Sequence, residues 1–220
     1  MMKLFTFLFS SLFLLLSANA PAEETKPQII CFGDSITKRG YHEELGTLLE
    51  IETFHAGVAG HNTKQGLRRM EKDVIEKKPA LVVILFGTND LRADSERAHV
   101  PLKDYRKNLQ EMVKRCEDAG SKVIICTLPP ITEAVYFTRH EPKEYDAKGG
   151  LTKMIQEYRK TATEVAQKNK LPLVDLNKLL SAHPEWVSKD GVHPSPAGVS
   201  LIAKYVAEAA RPLLVEEKAK

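Results

Sequence analysis

Gln28-Ile-Ile-Cys-Phe-Gly-Asp-Ser-Ile-Thr37 starts as a short apolar run and ends in a polar turn. An apolar run bounded by glycine and aspartate reads as a buried strand, so the serine after it stands at the strand's carboxyl end. Runs at 51–55, 81–86, 122–128 and 173–176 also read as strands. Between them, Leu102, Tyr105, Leu109, Met112, Val113 and Cys116 keep helical spacing, as do Leu151, Met154, Ile155, Tyr158, Ala162 and Val165. A last helix is expected from about Ala197, with Leu201, Ile202, Tyr205 and Val206 on one face. Strands alternating with amphipathic helices predict an α/β fold built on a five-stranded, mainly parallel sheet.

The polar residues gather at the strand ends. Ser35 follows the first run, Gly57 to Gly60 follow the second, and Gly87-Thr-Asn89-Asp90 follows the third. Ligands of open α/β sheets bind at that edge, where the strand order reverses, so these turns are expected to converge. Asp190-Gly-Val-His193 lies far away in sequence and carries the missing chemistry. A serine hydroxyl is a weak nucleophile until an imidazole takes its proton, and a carboxylate that fixes the imidazole tautomer improves the base. Ser35, His193 and Asp190 are the expected catalytic residues. The charge on a tetrahedral intermediate needs preorganised donors, and the Ser35 N–H, the Gly60 N–H and the Asn89 amide are the expected three. Taken singly, Ser35 would read as a helix cap, Asn89-Asp90 as a turn pair, and Asp190 with Ser195 as helix-start residues. Asp34 is expected to hold the backbone of its own loop.

In this order the blocks Gly33-Asp34-Ser35, Gly87-Thr88-Asn89-Asp90 and Asp190-Gly191-Val192-His193-Pro194 resemble the GDSL, or SGNH, hydrolase family, over almost everything from Ile29 to about Ile202. The resemblance implies a flavodoxin-like three-layer α/β/α sandwich and hydrolysis of esters or thioesters. The second family block commonly reads Gly-x-Ser-Gly-Asp-Thr. Here it is Gly57-Val-Ala-Gly60-His61-Asn62-Thr63. Its second glycine survives, so Gly60 rather than Gly57 is taken as the donor by alignment, while Ala59 and the added His61-Asn62 alter the loop.

Met1-Met-Lys3, the apolar run that ends at Leu16 and Ser17-Ala-Asn-Ala20 have the order of a secretory signal. The expected organisation is a signal peptide at 1–20, a short extension at 21–27, one hydrolase domain at 28–213 and a charged tail at 214–220. It implies export to a periplasm or the medium, with no stable membrane insertion once the signal is removed. No cysteine follows the apolar core, which argues against a lipid anchor. Lys plus Arg number 32 against 29 Asp plus Glu. The two signs interleave at 64–78 and 103–117, so these charges read as solvated helix faces and nucleic-acid binding finds no support. Cys31, Cys116 and Cys126 are too few for a disulfide framework. Cys116 and Cys126 are placed where a bridge is conceivable, but buried thiols are expected.

The remaining histidines, His42, His55, His61, His99, His140 and His183, lack metal-ligand spacing, so neither metal nor organic cofactor is expected. His61 is read as a rim residue. Gly-x-Ser-x-Gly, Gly-x-Gly-x-x-Gly and phosphate-loop motifs are missing. The stretch 129–150 follows the fourth run with Tyr136, Phe137, Arg139, His140 and Tyr145. It reads as a wall or lid of the site, or as a plain surface loop. Trp186 is expected to pack beneath the Asp190 turn. The function expected is a serine esterase acting on a small-molecule or carbohydrate ester, with acetyl or other short acyl groups preferred. A lysophospholipase or thioesterase of the same chemistry, or a non-catalytic carbohydrate-binding module on this scaffold, are the alternatives.

Overall fold

The computed structural model describes residues 28–215. The expected signal segment, the extension at 21–27 and residues 216–220 lie outside them. Five strands form one sheet, β1 (Gln28–Gly33), β2 (Glu52–Gly57), β3 (Leu81–Leu85), β4 (Lys122–Cys126) and β5 (Leu173–Val174), in the order β2-β1-β3-β4-β5. Every pairing is parallel. The helices are α1 (Ser35–Lys38), α2 (Tyr41–Leu49), α3 (Thr63–Asp73), α4 (Leu102–Asp118), α5 (Glu133–Tyr136), α6 (Pro142–Asp146), α7 (Leu151–Lys168), α8 (Leu176–Leu180) and α9 (Pro196–Val215).

Two cores follow from the two-residue period of a strand. Ile30 and Phe32 of β1, with Val82 and Ile84 of β3, pack against α3, α4 and α7. Ile29, Cys31, Leu81, Val83 and Leu85 face the other way, onto α2, α8 and α9. Both sheet faces are therefore covered, which gives the flavodoxin-like three-layer sandwich. β3 is buried along its whole length, as a central parallel strand should be. Both helical stripes read from the sequence face the first core: Tyr105, Leu109, Met112, Val113 and Cys116 on α4, and Leu151, Met154, Ile155, Tyr158, Ala162 and Val165 on α7. Each such side chain contributes about 1.5–3 kcal/mol on burial. The three cysteines are unpaired and buried. Desolvation pushes the Cys31 and Cys116 thiols up to about 12, which makes them poor nucleophiles.

Three details depart from the sequence reading. β5 ends at Val174 because Asp175 leaves the strand to cap α8, its Oδ1 accepting from Lys178 N at 3.1 Å and from Thr127 Oγ1 at 2.9 Å. The last helix runs to Val215, so residues 214 and 215 belong to it, and Leu213 and Leu214 rest on the second core. The stretch 129–150 contains the short helices α5 and α6.

α9 meets the preceding segment very closely. Trp186 is buried in the second core, as expected of a residue packing beneath the Asp190 turn. A Cβ on Gly198 would stand 1.9 Å from the Trp186 carbonyl oxygen and 3.1 Å from Pro194 Cβ. Gly198→Ala is therefore expected to destabilise the fold by roughly 1–3 kcal/mol through overpacking. A urea-unfolding midpoint equal to that of the wild type would refute this packing.

Candidate active site

α1 begins at the carboxyl end of β1 and carries Ser35 at its first position. Asp34 caps it, Oδ1 accepting from Ile36 N at 2.9 Å, which is the backbone role read from the sequence. Gly33 permits the turn, since a Cβ there would lie 2.1 Å from Thr37 Oγ1 and 2.4 Å from the Leu85 carbonyl oxygen.

His193 Nε2 lies 2.8 Å from Ser35 Oγ across 158 positions of chain, and His193 Nδ1 lies 2.6 Å from Asp190 Oδ2. A carboxylate only accepts, so Nδ1 carries the ring proton and Nε2 is left to accept from the Ser35 hydroxyl. Asp190 Oδ1 also accepts from Ser188 Oγ at 2.9 Å, Val192 N at 3.0 Å and His193 N at 2.9 Å. Burial alone would raise the Asp190 carboxyl, but the His193 and Val192 N–H groups, with the His193 and Ser188 side chains, outweigh it and hold the group well below the usual carboxylate range. The turn is pinned by a Val187–Pro194 bridge and by Ser188 N–H donating to the His193 carbonyl at 2.8 Å. Gly191 takes φ +73°, and a Cβ there would lie 2.9 Å from Val135 Cβ.

The oxyanion candidates lie on neighbouring strand ends. Val58 to His61 form a turn closed by His61 N–H to the Val58 carbonyl at 3.2 Å, with Gly60 at φ +77°. Glycine adopts that conformation without strain. Neither the Ser35 N–H nor the Gly60 N–H has an acceptor among the described residues. Gly57 has a different place: its N–H donates to His55 Nδ1 at 3.3 Å, and a Cβ would lie 2.5 Å from Lys38 N. Asn89 Nδ2 donates to the His61 carbonyl at 3.0 Å and to Asp34 Oδ2 at 3.3 Å, so this amide ties all three strand ends together. Burial, first of all, pushes the Asp34 carboxyl up to about 7, Asp90 adds to the rise, and the Ile36 N–H opposes it.

Two supporting residues escaped the sequence reading. Arg69 falls within the charges read as a solvated face, yet it reaches under the site. Nη2 donates to the Gly33 carbonyl at 2.8 Å, Nη1 to the Ala56 carbonyl at 2.8 Å, and Nε to His61 Nδ1 at 3.2 Å, while the guanidinium lies 4.7 Å from the Phe32 ring centre. Asp90 is fully buried and holds Thr63 at the start of α3 through its backbone N–H at 3.0 Å and its hydroxyl. The one sequence signal for Asp90 was its adjacency to Asn89; for Arg69 it was the apolar neighbour Met70 on the same helix. His61 is half-exposed and holds Asn89 through its carbonyl rather than its ring. The added Asn62 caps α3 in a reciprocal pair with Gln65 and donates to the Ala98 carbonyl at 2.8 Å.

The stretch 129–150 stands against the Asp190 turn. Thr132 N–H donates to the Gly191 carbonyl at 2.9 Å and Arg139 Nη2 to the Asp190 carbonyl at 2.5 Å. Asp94 accepts from Tyr145 at 3.0 Å and pairs with His140 Nδ1 at 2.7 Å, while Tyr136 stacks on His140. The segment therefore packs against the Asp190 turn. Among the described residues no three or more His, Cys, Asp or Glu side chains cluster to hold a metal ion, and no helix is long and apolar enough to cross a membrane.

The fold is that of the SGNH hydrolases. The model of the GDSL-like lipase/acylhydrolase family matches residues 31–201, and the chain belongs to that family as a carboxylic ester hydrolase. It is 31% identical over 195 residues to an isoamyl acetate-hydrolyzing esterase 1 homolog of Rattus norvegicus, with 78% of this chain and 76% of that protein covered. It is 29% identical over 189 residues to the uncharacterized lipoprotein YqeF of Bacillus subtilis, covering 76% of this chain and 78% of the relative. The crystal structure of the acetyl xylan esterase AlAXEase superposes with a TM-score of 0.68 at 25% identity, covering 83% of this chain and 98% of that one.

Asp34 and Asp190 make opposite contributions to the pH dependence of stability. The ordinary carboxyl value is about 4. Asp34 is raised in the fold, so the native state holds its proton longer and stability falls as pH rises from about 4 to about 7. Asp190 is lowered, so its contribution is present above about 4 and is lost as pH falls below that. Asp34→Asn is expected to lose less stability than the wild type between about pH 5 and 8 in urea melts, with Asp90 keeping its own share. Equal slopes would refute the raised Asp34 carboxyl.

Proposed function

We propose that the chain cleaves carboxylic esters through an acyl-enzyme on Ser35. The observation that carries this is the continuous run of hydrogen bonds from Ser35 through His193 to Asp190. His193 Nε2 takes the Ser35 proton as Oγ attacks the ester carbonyl carbon, and Asp190 steadies the imidazolium that forms. The carbonyl oxygen becomes an oxyanion held by the N–H groups of Ser35 and Gly60 and by the Asn89 amide. The bonds from Asn89 Nδ2 to the His61 carbonyl and to Asp34 Oδ2 hold the amide in its place at the strand end. Collapse expels the alkoxide, which takes the proton from His193. Water then attacks the acyl-enzyme with His193 again as base, releasing the carboxylic acid.

We propose short acyl groups, acetyl foremost, borne on carbohydrates. The strongly exposed large hydrophobic residues among those described are only Leu48, Phe54 and Val215, on α2, β2 and α9. The likeness to an acetyl xylan esterase and to an isoamyl acetate esterase homolog supports the same choice. Export is proposed from the order of residues at 1–20, and the relative named as a lipoprotein is consistent with it.

Ser35→Ala is expected to lower kcat by roughly 10⁶-fold with an unchanged circular dichroism spectrum, and to lose labelling by a fluorophosphonate probe. Asn89→Ala is expected to lower kcat roughly 10²- to 10³-fold. Undiminished labelling of the Ser35 variant would end the nucleophile assignment. Turnover of p-nitrophenyl esters from acetate to palmitate is expected to peak at the short end, and a maximum at long chains would reverse the acyl choice in favour of a lysophospholipase or thioesterase.

A further inference from the structure

A cleft of mixed apolar and polar lining adjoins Pro194, the residue after His193, and the chemistry above does not use it. It measures about 540 Å³ and is lined by Arg39, Glu44, Pro194, Ser195, Val199 and Ser200 among others. That is within the range of roughly 300–1,000 Å³ usual for small-molecule sites. Its walls come from Arg39 at the end of α1, Glu44 of α2, Pro194 and Ser195 after His193, and the first turn of α9. Arg39 closes α1 four residues after Ser35, and side chains at that spacing share one helical face. Pro194 directly follows His193.

One wall is rigid. Ser195 N–H donates to the Trp186 carbonyl at 2.8 Å, Ser195 Oγ donates to the Glu185 carbonyl at 2.5 Å, and Gly198 N–H donates to Ser195 Oγ at 3.1 Å. Glu44 is aimed by Ser200, whose hydroxyl donates to Oε1 at 2.9 Å, and Oε2 has no donor among the described residues. Arg39 is exposed, and its guanidinium has no acceptor among the described residues. A ligand here meets a planar fork of N–H donors and a positioned carboxylate. An anion would be repelled by Glu44 and a cation by Arg39, while an alkyl chain would desolvate both charges and satisfy neither. Adjacent hydroxyl groups, each both donor and acceptor, match the pair.

Pro194, which follows His193, lines the cleft, while Ser35 and His193 themselves do not, so the cleft adjoins the reacting pair on its His193 side. His193 must hand its proton to the leaving oxygen, so the alcohol departs on the His193 side of Ser35. The oxyanion donors Gly60 and Asn89 stand on other strand ends, and neither lines the cleft. We propose that this cleft is the alcohol-side subsite and takes a polyhydroxylated alcohol, such as the sugar ring of an acetylated glycoside, with Arg39 donating to ring hydroxyls and Glu44 accepting from them. The assignment rests on the acyl-enzyme reading and on the carbohydrate ester proposed above, and adds the residues that would recognise the alcohol.

The test compares kcat and KM of the full chain on a monoacetylated methyl xyloside and on p-nitrophenyl acetate, for wild type, Arg39→Ala, Arg39→Lys and Glu44→Gln. Arg39→Ala and Glu44→Gln are each expected to lower the ratio of kcat/KM, sugar ester over p-nitrophenyl ester, by roughly ten- to a hundredfold, through a higher KM for the sugar ester. Arg39→Lys should recover part of that loss. A ratio unchanged in both variants overturns the subsite, as does a parallel fall of kcat on both esters, which would make Arg39 a support of α1. If fluorophosphonate labels Ser35 while the ratio stays flat, only the subsite fails. If the wild type neither reacts with the probe nor cleaves any ester, the esterase reading fails and the subsite goes with it.

Discussion

β1 pairs in parallel with β2 on one side and β3 on the other, and everything at the site depends on that placement. The strand order reverses there, so the connections after β1 and β3 leave toward opposite faces of the sheet and open a crevice at its carboxyl edge. Ser35 stands at the mouth of that crevice on the β1 side and Asn89 on the β3 side. The register is held by side chains buried on both faces, and a slip of one residue would turn each of them to the wrong core. Thus the packing that stabilises the sheet also sets the distance between Ser35 and Asn89.

The crevice floor is polar and buried, an expensive combination unless every group is paired. Asp34, Asn89 and Asp90 are all nearly inaccessible to solvent. Arg69 brings the compensating charge and binds the carbonyl groups that end β1 and β2. Two strand ends and the turn after β2 are thereby locked to one side chain of α3. Desolvation still dominates for the Asp34 and Asp90 carboxyls, each pushed up to about 7. The protein gives up some stability near neutral pH to keep a fixed set of donors and acceptors beneath the reacting groups.

Two surfaces flank Ser35 and differ in character. Toward Asp190 stands the aromatic wall of α5 and α6, tied to the turn by Thr132 and Arg139 and to the loop after β3 by the Asp94 pairings. Beyond His193 lies the open cleft with its two charges of opposite sign.

What the amino-acid sequence by itself determined was local and repetitive. The runs at 28–32 and 81–86 were legible because a buried parallel strand is apolar throughout, and the stripes of α4 and α7 because one helical face must meet the sheet. The convergence of Ser35, Asn89, Asp190 and His193 was legible because each stood in a compact polar block at the end of an apolar run or before the last helix. Asp175 cut β5 short because a short polar side chain caps a helix more favourably than it extends a strand. Tertiary structure alone decided the rest. α5 and α6 are too short to stand on their own propensity and persist through Tyr136, His140 and Tyr145 packing together. Arg69 looked like any surface charge until the strand ends it binds were brought beneath it. The 2.8 Å contact between Ser35 and His193 exists because the sheet order and the seat of α9 on Trp186 bring together two points 158 residues apart, and no local pattern encodes a distance of that kind.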